Sequence, residues 1–471
     1  IRHETTEQVV QVLRQYRQVL EQYGITPGPS LRVVATSAVR EAQNRMTFLD
    51  RVYIATGIDI EPIDDAEVSR ITYMGLRPIL ARHRDLAKAD VLAIEVGGGS
   101  TELLLIQEGL VTGAYSYRLG AFRLRETLEA FRAPRSQIRS IIQNQIQQTV
   151  EEIVANVPRR DRLQLVALGG DIRFAAHQLR PGWSSEGIAR ISVDELERLT
   201  NAILPLTEEQ IARRYNLQFP QAETLGPALL TYLLLARQLG LSQIVVTNVN
   251  LRDGLLQELG TRGRDSEHFH RQVLRSVIDL GRKYRFDEPH ARHVAALAEQ
   301  LFDQLADEHH LGDRERRLLR YAALLHEIGQ FIAQAGFHKH TQYLIENSDV
   351  FGLTQEAQRL VAIIARYHRR ASPKPTHSAY IGLPREQRIV VSKLAALLRL
   401  ADALDRSHAQ RIRAIRCERD QRRLVVHAAG VDDVALEQLA LREKGSLFED
   451  VYGYKPVLYA APNEPDAEGV G

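Results

Sequence analysis

The run Val91-Leu-Ala-Ile-Glu95-Val-Gly97-Gly98-Gly99-Ser100-Thr101-Glu102-Leu-Leu-Leu-Ile106 restricts the fold more than any other part of the chain. Two apolar stretches of strand length are joined by a three-glycine turn carrying a hydroxyl pair. Glycine takes positive φ readily and lets a ligand approach the backbone with no Cβ in the way, so successive N–H groups can converge on one anion. The pattern predicts a phosphate cradle built from Gly97, Gly98, Gly99, Ser100 and Thr101. Glu95, at the end of the incoming strand, stands where a carboxylate can hold Mg²⁺ or orient a water molecule.

The stretches on either side alternate in the manner of an α/β protein. Leu31 to Ala35, Ile58 to Ile63, Val91 to Val96, Leu103 to Ile106, Leu163 to Leu168 and Ile244 to Thr247 read as strands, with helical periodicity between most of them. A second glycine turn, Ala167-Leu-Gly169-Gly170-Asp171, follows one of these strands and opens a helical stretch. It sets N–H donors and a positive helix end at one place, so Gly169 and Gly170 are expected to bind phosphate.

Composition narrows the setting. A length of 471 residues allows about three domains, and 44% hydrophobic with 25% charged residues describes a globular chain. No apolar stretch approaches the roughly 18 residues that a membrane helix needs. The single cysteine, Cys417, excludes internal disulfides and Cys-based zinc sites and suits a reducing cytoplasm. Of 61 basic residues only seven are Lys, and Arg forks bind phosphate oxygens in pairs.

Near Gly260 a polar connector, Gly260-Thr-Arg-Gly-Arg-Asp-Ser-Glu, ends the alternation, and more than a hundred residues of helical pattern follow. The expected division is 1–110 and 111–260 as two α/β domains, 266–410 as a helical domain, 411–461 as a small α+β tail with strands at Leu424 to His427 and Pro456 to Tyr459, and 462–471 as disordered.

Several motifs, in order, resemble the exopolyphosphatase/guanosine pentaphosphate phosphohydrolase (Ppx/GppA) family: Ala35-Thr-Ser-Ala-Val-Arg40-Glu-Ala, the Glu95 to Glu102 loop, Tyr117-Arg-Leu-Gly120-Ala and Leu251-Arg-Asp-Gly254-Leu-Leu. The resemblance implies an actin/Hsp70/sugar-kinase-like duplex, a cytoplasmic homodimer, and Mg²⁺-dependent release of terminal phosphate from inorganic polyphosphate or guanosine pentaphosphate. Neither a membrane nor a specific nucleic acid is expected as a partner. The family's first phosphate loop, of Asp-x-Gly-Ser type, would precede the part matched here, so the expected duplex is incomplete at its N-terminus. Arg40 is expected to clamp a phosphate. The family's water-activating Glu sits in a Glu-Glu-Ala-Arg run, and the ungapped match Ile63-Asp-Asp-Ala-Glu67-Val68-Ser-Arg70 puts Val68 there, leaving Glu67, one residue away, as the base to test.

Further on, Ala322-Ala-Leu-Leu-His326-Glu327-Ile-Gly329, His338-Lys339-His340, Arg366-Tyr-His368-Arg369 and Leu398-Arg-Leu-Ala-Asp402-Ala-Leu-Asp405 look like that family's all-α, HD-like domain. His290, His326, Glu327 and Asp402 match the positions of an HD-type metal site, with Glu where Asp is usual. Lys339, Arg366, His368, Arg369 and Arg370 are dense enough to form a basic surface for a long anionic chain. Two other functions fit the same residues: a catalytically impaired regulator that binds polyphosphate or guanosine penta- or tetraphosphate, and a metal phosphohydrolase centred on the helical domain.

Overall fold

The computed structural model describes residues 1–25, 31–130, 135–157, 162–184, 187–261, 266–369 and 371–461. These divide into two compact units, Ile1–Gln272 and Val273–Gly471, the second described as far as residue 461. The tail expected to be disordered, 462–471, lies outside the described residues.

In the first unit, β1 (Val34–Ala35) and β2 (Glu61–Pro62) form a two-stranded parallel pair. Both are shorter than the sequence suggests, because among the described residues each has only the other as neighbour. β3 (Asp90–Val96), β4 (Thr101–Gln107), β5 (Leu110–Tyr117), β6 (Leu163–Leu168), β7 (Ile188–Ser192) and β8 (Gln243–Thr247) form one six-stranded mixed sheet in the order β5-β4-β3-β6-β8-β7. β3, β6 and β8 run parallel, and β4, β5 and β7 are antiparallel to their neighbours. The division expected between residues 110 and 111 therefore falls inside β5, one strand of a single sheet. β5 and β7 were not among the expected strands.

Strand alternation decides which side chains go where. Leu92, Ile94 and Val96 of β3 point to one face, with Leu103, Leu165, Ala167, Ile191, Ile244 and Val246, and pack there with helices Gly170–Leu179, Val193–Ile203 and Phe219–Gln238 into a large buried core. Ala93 and Glu95, with their cross-strand partners Leu104 and Glu102, take the opposite face. Ser69 and Thr72 of helix Asp65–Arg82 meet these four residues around a small cavity.

The second unit is helical through Leu404, with helices Glu288–Gln304, Asp313–Leu325, Phe337–Glu346, Gln355–Arg366 and Arg385–Leu404 around a core of Leu297, Leu319, Val361 and Leu398. A three-stranded sheet follows, β9 (Ala414–Asp420), β10 (Arg423–Ala429) and β11 (Lys455–Ala461), in the order β11-β10-β9, with helix Ala435–Lys444 between its last two strands. β9 adds a strand to the two expected there. No helix among the described residues is long and apolar enough to cross a membrane.

Candidate active site

The glycine turn forms a hairpin between β3 and β4 and lines a pocket of about 160 Å³ with Thr36, Ser37, Arg40, Asp65, Val68, Glu95, Ser100, Glu102 and Leu251. Its glycines take up this turn without the positive φ that was expected of them. None of Gly97, Gly98 and Gly99 has positive φ. Their carbonyls turn instead to the start of helix Ala121–Ala130: Gly97 O accepts from Ala121 N–H at 2.9 Å, Gly98 O from Phe122 N–H at 3.0 Å, and Gly99 O from Arg123 Nε at 2.6 Å. Space is the constraint, since a Cβ on Gly99 would lie 2.9 Å from Ser37 Oγ. Gly97 N–H closes the turn on Ser100 O at 2.9 Å, while the amides of Gly98, Gly99 and Ser100 donate to no backbone acceptor among the described residues.

Glu95 and Glu102 are directly opposed across the antiparallel pair. Burial raises the pKa of Glu95, partly offset by the charge of Arg173. Burial, with the nearby Asp65 carboxylate, pushes Glu102 up to about 7, against hydrogen bonds to its Oε1 from Ser100 Oγ at 2.9 Å and Ser116 Oγ at 3.0 Å. Glu102 Oε2 is buried with no hydrogen-bond partner. Two carboxylates on one face of the hairpin, one of them with an unsatisfied oxygen, form a hard-oxygen donor set suited to Mg²⁺. Glu102 was legible in the sequence as part of the loop motif. Only hairpin register, which pairs position 95 with position 102 around a 97–100 turn, marks it as a partner of Glu95.

Arg40 lines the pocket and is oriented by Ile63 O, 2.9 Å from its Nη1, and by an ion pair with Asp65. Thr36, Ser37 and Asp65 are pocket residues that sequence reasoning missed, although the first two belong to the motif that ends in Arg40.

Other expected site residues lie elsewhere. The Thr101 hydroxyl is fully buried and donates to Leu119 O, so it faces the interior. Gly169 and Gly170 do not line the pocket. Gly169, with φ +109°, is the N-cap of helix Gly170–Leu179 beside Glu95, where a Cβ would come within 3.7 Å of Glu95 Cγ. Asp171, on the first turn of that helix, is raised to about 6 by burial, against a hydrogen bond from Thr224 Oγ1 and the charge of Arg173. The Tyr232 hydroxyl accepts from Val96 N–H at 2.9 Å and donates to Leu168 O, pinning the ends of β3 and β6.

Glu67 does not line the pocket, whereas Val68 does. One helical step turns a side chain by about 100°, and the Glu67 carboxylate is engaged by Arg32 at 2.9 Å and Arg70 at 2.7 Å, with Glu258 completing the cluster. Burial alone would raise its pKa, but these two guanidinium groups outweigh it and hold Glu67 below the usual range. A carboxylate so engaged is a poor proton acceptor.

In the second unit, Lys339 and Arg369 are exposed, and Arg369 stacks over Phe337. Arg366 is half-buried on Gln342 Oε1, His368 is buried with its Nδ1 on Ala365 O at 2.6 Å, and Arg370 lies outside the described residues. The expected basic surface is therefore smaller than the sequence suggests. His290, His326, Glu327 and Asp402 do come together.

The profile described as the Ppx/GppA phosphatase family matches residues 1–262, and the one described as Ppx/GppA phosphatase, domain III, matches residues 273–444. Among solved structures the chain is similar to the Aquifex aeolicus Ppx/GppA family member, with 19% identity over 56% of this chain and 83% of that one at a TM-score of 0.46. It is also similar to an exopolyphosphatase from Cytophaga hutchinsonii, with 20% identity over 55% of this chain and 83% of that one at a TM-score of 0.49. With more than half of its length matched by the family's own profile, and most of the rest by that of the family's domain III, the chain belongs to the Ppx/GppA phosphatase family.

Proposed function

We propose that the chain releases terminal phosphate from inorganic polyphosphate, with guanosine pentaphosphate, which ends in the same phosphoanhydride, as a second substrate. The observation that carries this reading is the Glu95/Glu102 pair facing a pocket walled by Arg40 and the Gly97–Ser100 turn. The free amides of the turn, the Ser37 hydroxyl and Arg40 would bind oxygens of the terminal phosphate. Glu95 and Glu102 would hold Mg²⁺, which when bound supplies charge neutralisation over the phosphoryl oxygens. Lys339 and Arg369 would hold a long chain electrostatically. The setting consistent with this reading is cytoplasmic, as a homodimer.

Replacing Glu95 by Gln should lower the turnover of phosphate release from long-chain polyphosphate with Mg²⁺ by about a hundredfold or more. Unchanged turnover would remove Glu95 from the chemistry. A second reading, a binding regulator, is favoured by one feature: Val68 presents an apolar wall where the family motif places its water-activating Glu. Tight polyphosphate binding without phosphate release would support it.

A further inference from the structure

The small cavity between helix Asp65–Arg82 and the sheet has a volume of about 10 Å³. Its apolar lining is Ala93, Leu104 and Leu168, and its polar lining is Glu95 and Glu102 from the sheet with Ser69 and Thr72 from the helix. Glu95 and Glu102 also line the glycine-turn pocket, so the two spaces meet at the carboxylate pair. Ser69 and Thr72 are three residues apart, which places them about 60° apart around the helix and on one face of it. Each is only 4% exposed. A buried threonine inside a helix commonly donates its hydroxyl to the carbonyl one turn back, as Thr56, Thr200 and Thr231 do to Val52 O, Leu196 O and Pro227 O at 2.7, 2.7 and 2.9 Å. Thr72 departs from this habit: its Oγ1 is buried with no hydrogen-bond partner. Such a hydroxyl costs free energy unless something in the cavity answers it.

Glu102 has the matching need. Its Oε1 accepts from Ser100 Oγ at 2.9 Å and Ser116 Oγ at 3.0 Å, which uses both lone pairs of that oxygen. A cation taken up by Glu102 must therefore bind Oε2, the oxygen that is buried without a partner. What orients Oε2 decides whether Glu95 and Glu102 can act together. A volume of about 10 Å³ is close to what one water molecule requires. The polar groups around it match the four hydrogen bonds of water, with two hydroxyls to donate and two carboxylates to accept.

We propose that Thr72 is a positioning residue for this site: through one water held in the cavity, its hydroxyl fixes Glu102 Oε2 and with it the carboxylate pair that takes up the divalent cation. The inference rests on the reading of Glu95 and Glu102 as the Mg²⁺ donors. Thr72 itself touches neither cation nor substrate. Groups that hold a metal ligand from behind set its orientation, and their loss costs about ten- to a hundredfold in metal affinity. Val68 of the same helix offers only methyl groups to the pocket, while Thr72, one turn on, offers its hydroxyl to the cavity on the other side of the carboxylates.

The test measures Mn²⁺ binding by electron paramagnetic resonance, with Mg²⁺ competition, in the full chain and in Glu102→Gln, Thr72→Val and Thr72→Ser, with unfolding midpoints and phosphate release on the same samples. The signal to follow is the Mn²⁺ that Mg²⁺ displaces and that Glu102→Gln loses. Thr72→Val, which keeps the shape and removes the hydroxyl, should bind that ion about tenfold more weakly or worse, with an unfolding midpoint close to the parent's. Thr72→Ser should restore the affinity. The Mg²⁺ concentration for half-maximal phosphate release should rise by the same factor in Thr72→Val while KM for polyphosphate at saturating Mg²⁺ keeps the parent's value, a split that a merely structural role would not produce. Parent-like Mn²⁺ affinity in Thr72→Val, or equal weakening in Thr72→Val and Thr72→Ser, would overturn the positioning role and leave the carboxylate site standing. Mn²⁺ binding undiminished in Glu102→Gln would instead remove the carboxylate site, and this inference with it.

Discussion

At Glu102 burial imposes a cost that depends on pH. Its pKa in the folded chain is raised to about 7 from the usual value near 4.5, so the folded state holds this proton more tightly than the unfolded one. The associated stability is fully present below about pH 4.5 and is lost as pH rises through about 7. Without Mg²⁺, the difference in unfolding free energy between the parent chain and Glu102→Gln should therefore change by on the order of 3 kcal/mol between pH 4.5 and 8, to the disadvantage of the parent. Denaturant unfolding of both chains across that range checks it, and Mg²⁺ should stabilise the parent more at pH 8 than at pH 5. At this scale the sequence was informative for Glu95, Arg40 and the glycines, which stand in motifs, and misleading where direction matters. Glu67 and Val68 differ by one helical step, Thr101 alternates inward, and His368 is buried beneath the surface suggested by its basic neighbours. Each of these depends on which way a side chain points, and residue type does not carry that information.

Among the elements, the contact between helices Asp65–Arg82 and Leu251–Thr261 tolerates no side chain at Gly254, where a Cβ would lie 2.0 Å from Ile71 O. Gly254→Ala should destabilise the first unit by about 3 kcal/mol or more, because the obstacle is backbone. Gly260→Ala, in the same helix with nothing within 4 Å of the new Cβ, should stabilise by up to about 1 kcal/mol. Thermal unfolding of the pair distinguishes a packing requirement from a general loss of helix quality. Tyr232→Phe should cost about 1–3 kcal/mol by leaving Val96 N–H and Leu168 C=O buried and unpaired. The central strands β3, β6 and β8 were legible because sheet burial on both faces gives continuous apolar runs. β5 and β7 are edge strands, and their mixed sequences, Leu-Val-Thr-Gly-Ala-Tyr-Ser-Tyr and Ile-Ala-Arg-Ile-Ser, carry no such run.

For the whole molecule, the change from alternating to helical pattern placed the expected break near residue 260, and the chain divides into compact units between Gln272 and Val273. The polar connector is the visible signal, while the unit boundary is set by packing further along the chain. The division at 110 was not legible for a related reason: whether β5 joins a sheet or begins a domain depends on pairing between strands. If Lys339 and Arg369 bind a long polyanion, replacing both by Gln should raise KM for long-chain polyphosphate and flatten its salt dependence. The same variant should leave hydrolysis of a short oligophosphate unchanged, which phosphate-release assays at several salt concentrations can check.

The central claim is that phosphate release belongs to the Glu95/Glu102 pocket of the first unit and needs nothing from the histidine cluster of the second. It is tested most directly by measuring Mg²⁺-dependent phosphate release from long-chain polyphosphate by the parent chain, Glu102→Gln and His326→Gln side by side. The account predicts release by the parent, a loss of about a hundredfold or more in Glu102→Gln, and turnover close to the parent's in folded His326→Gln. Full activity in Glu102→Gln, or activity abolished in a folded His326→Gln, would contradict it.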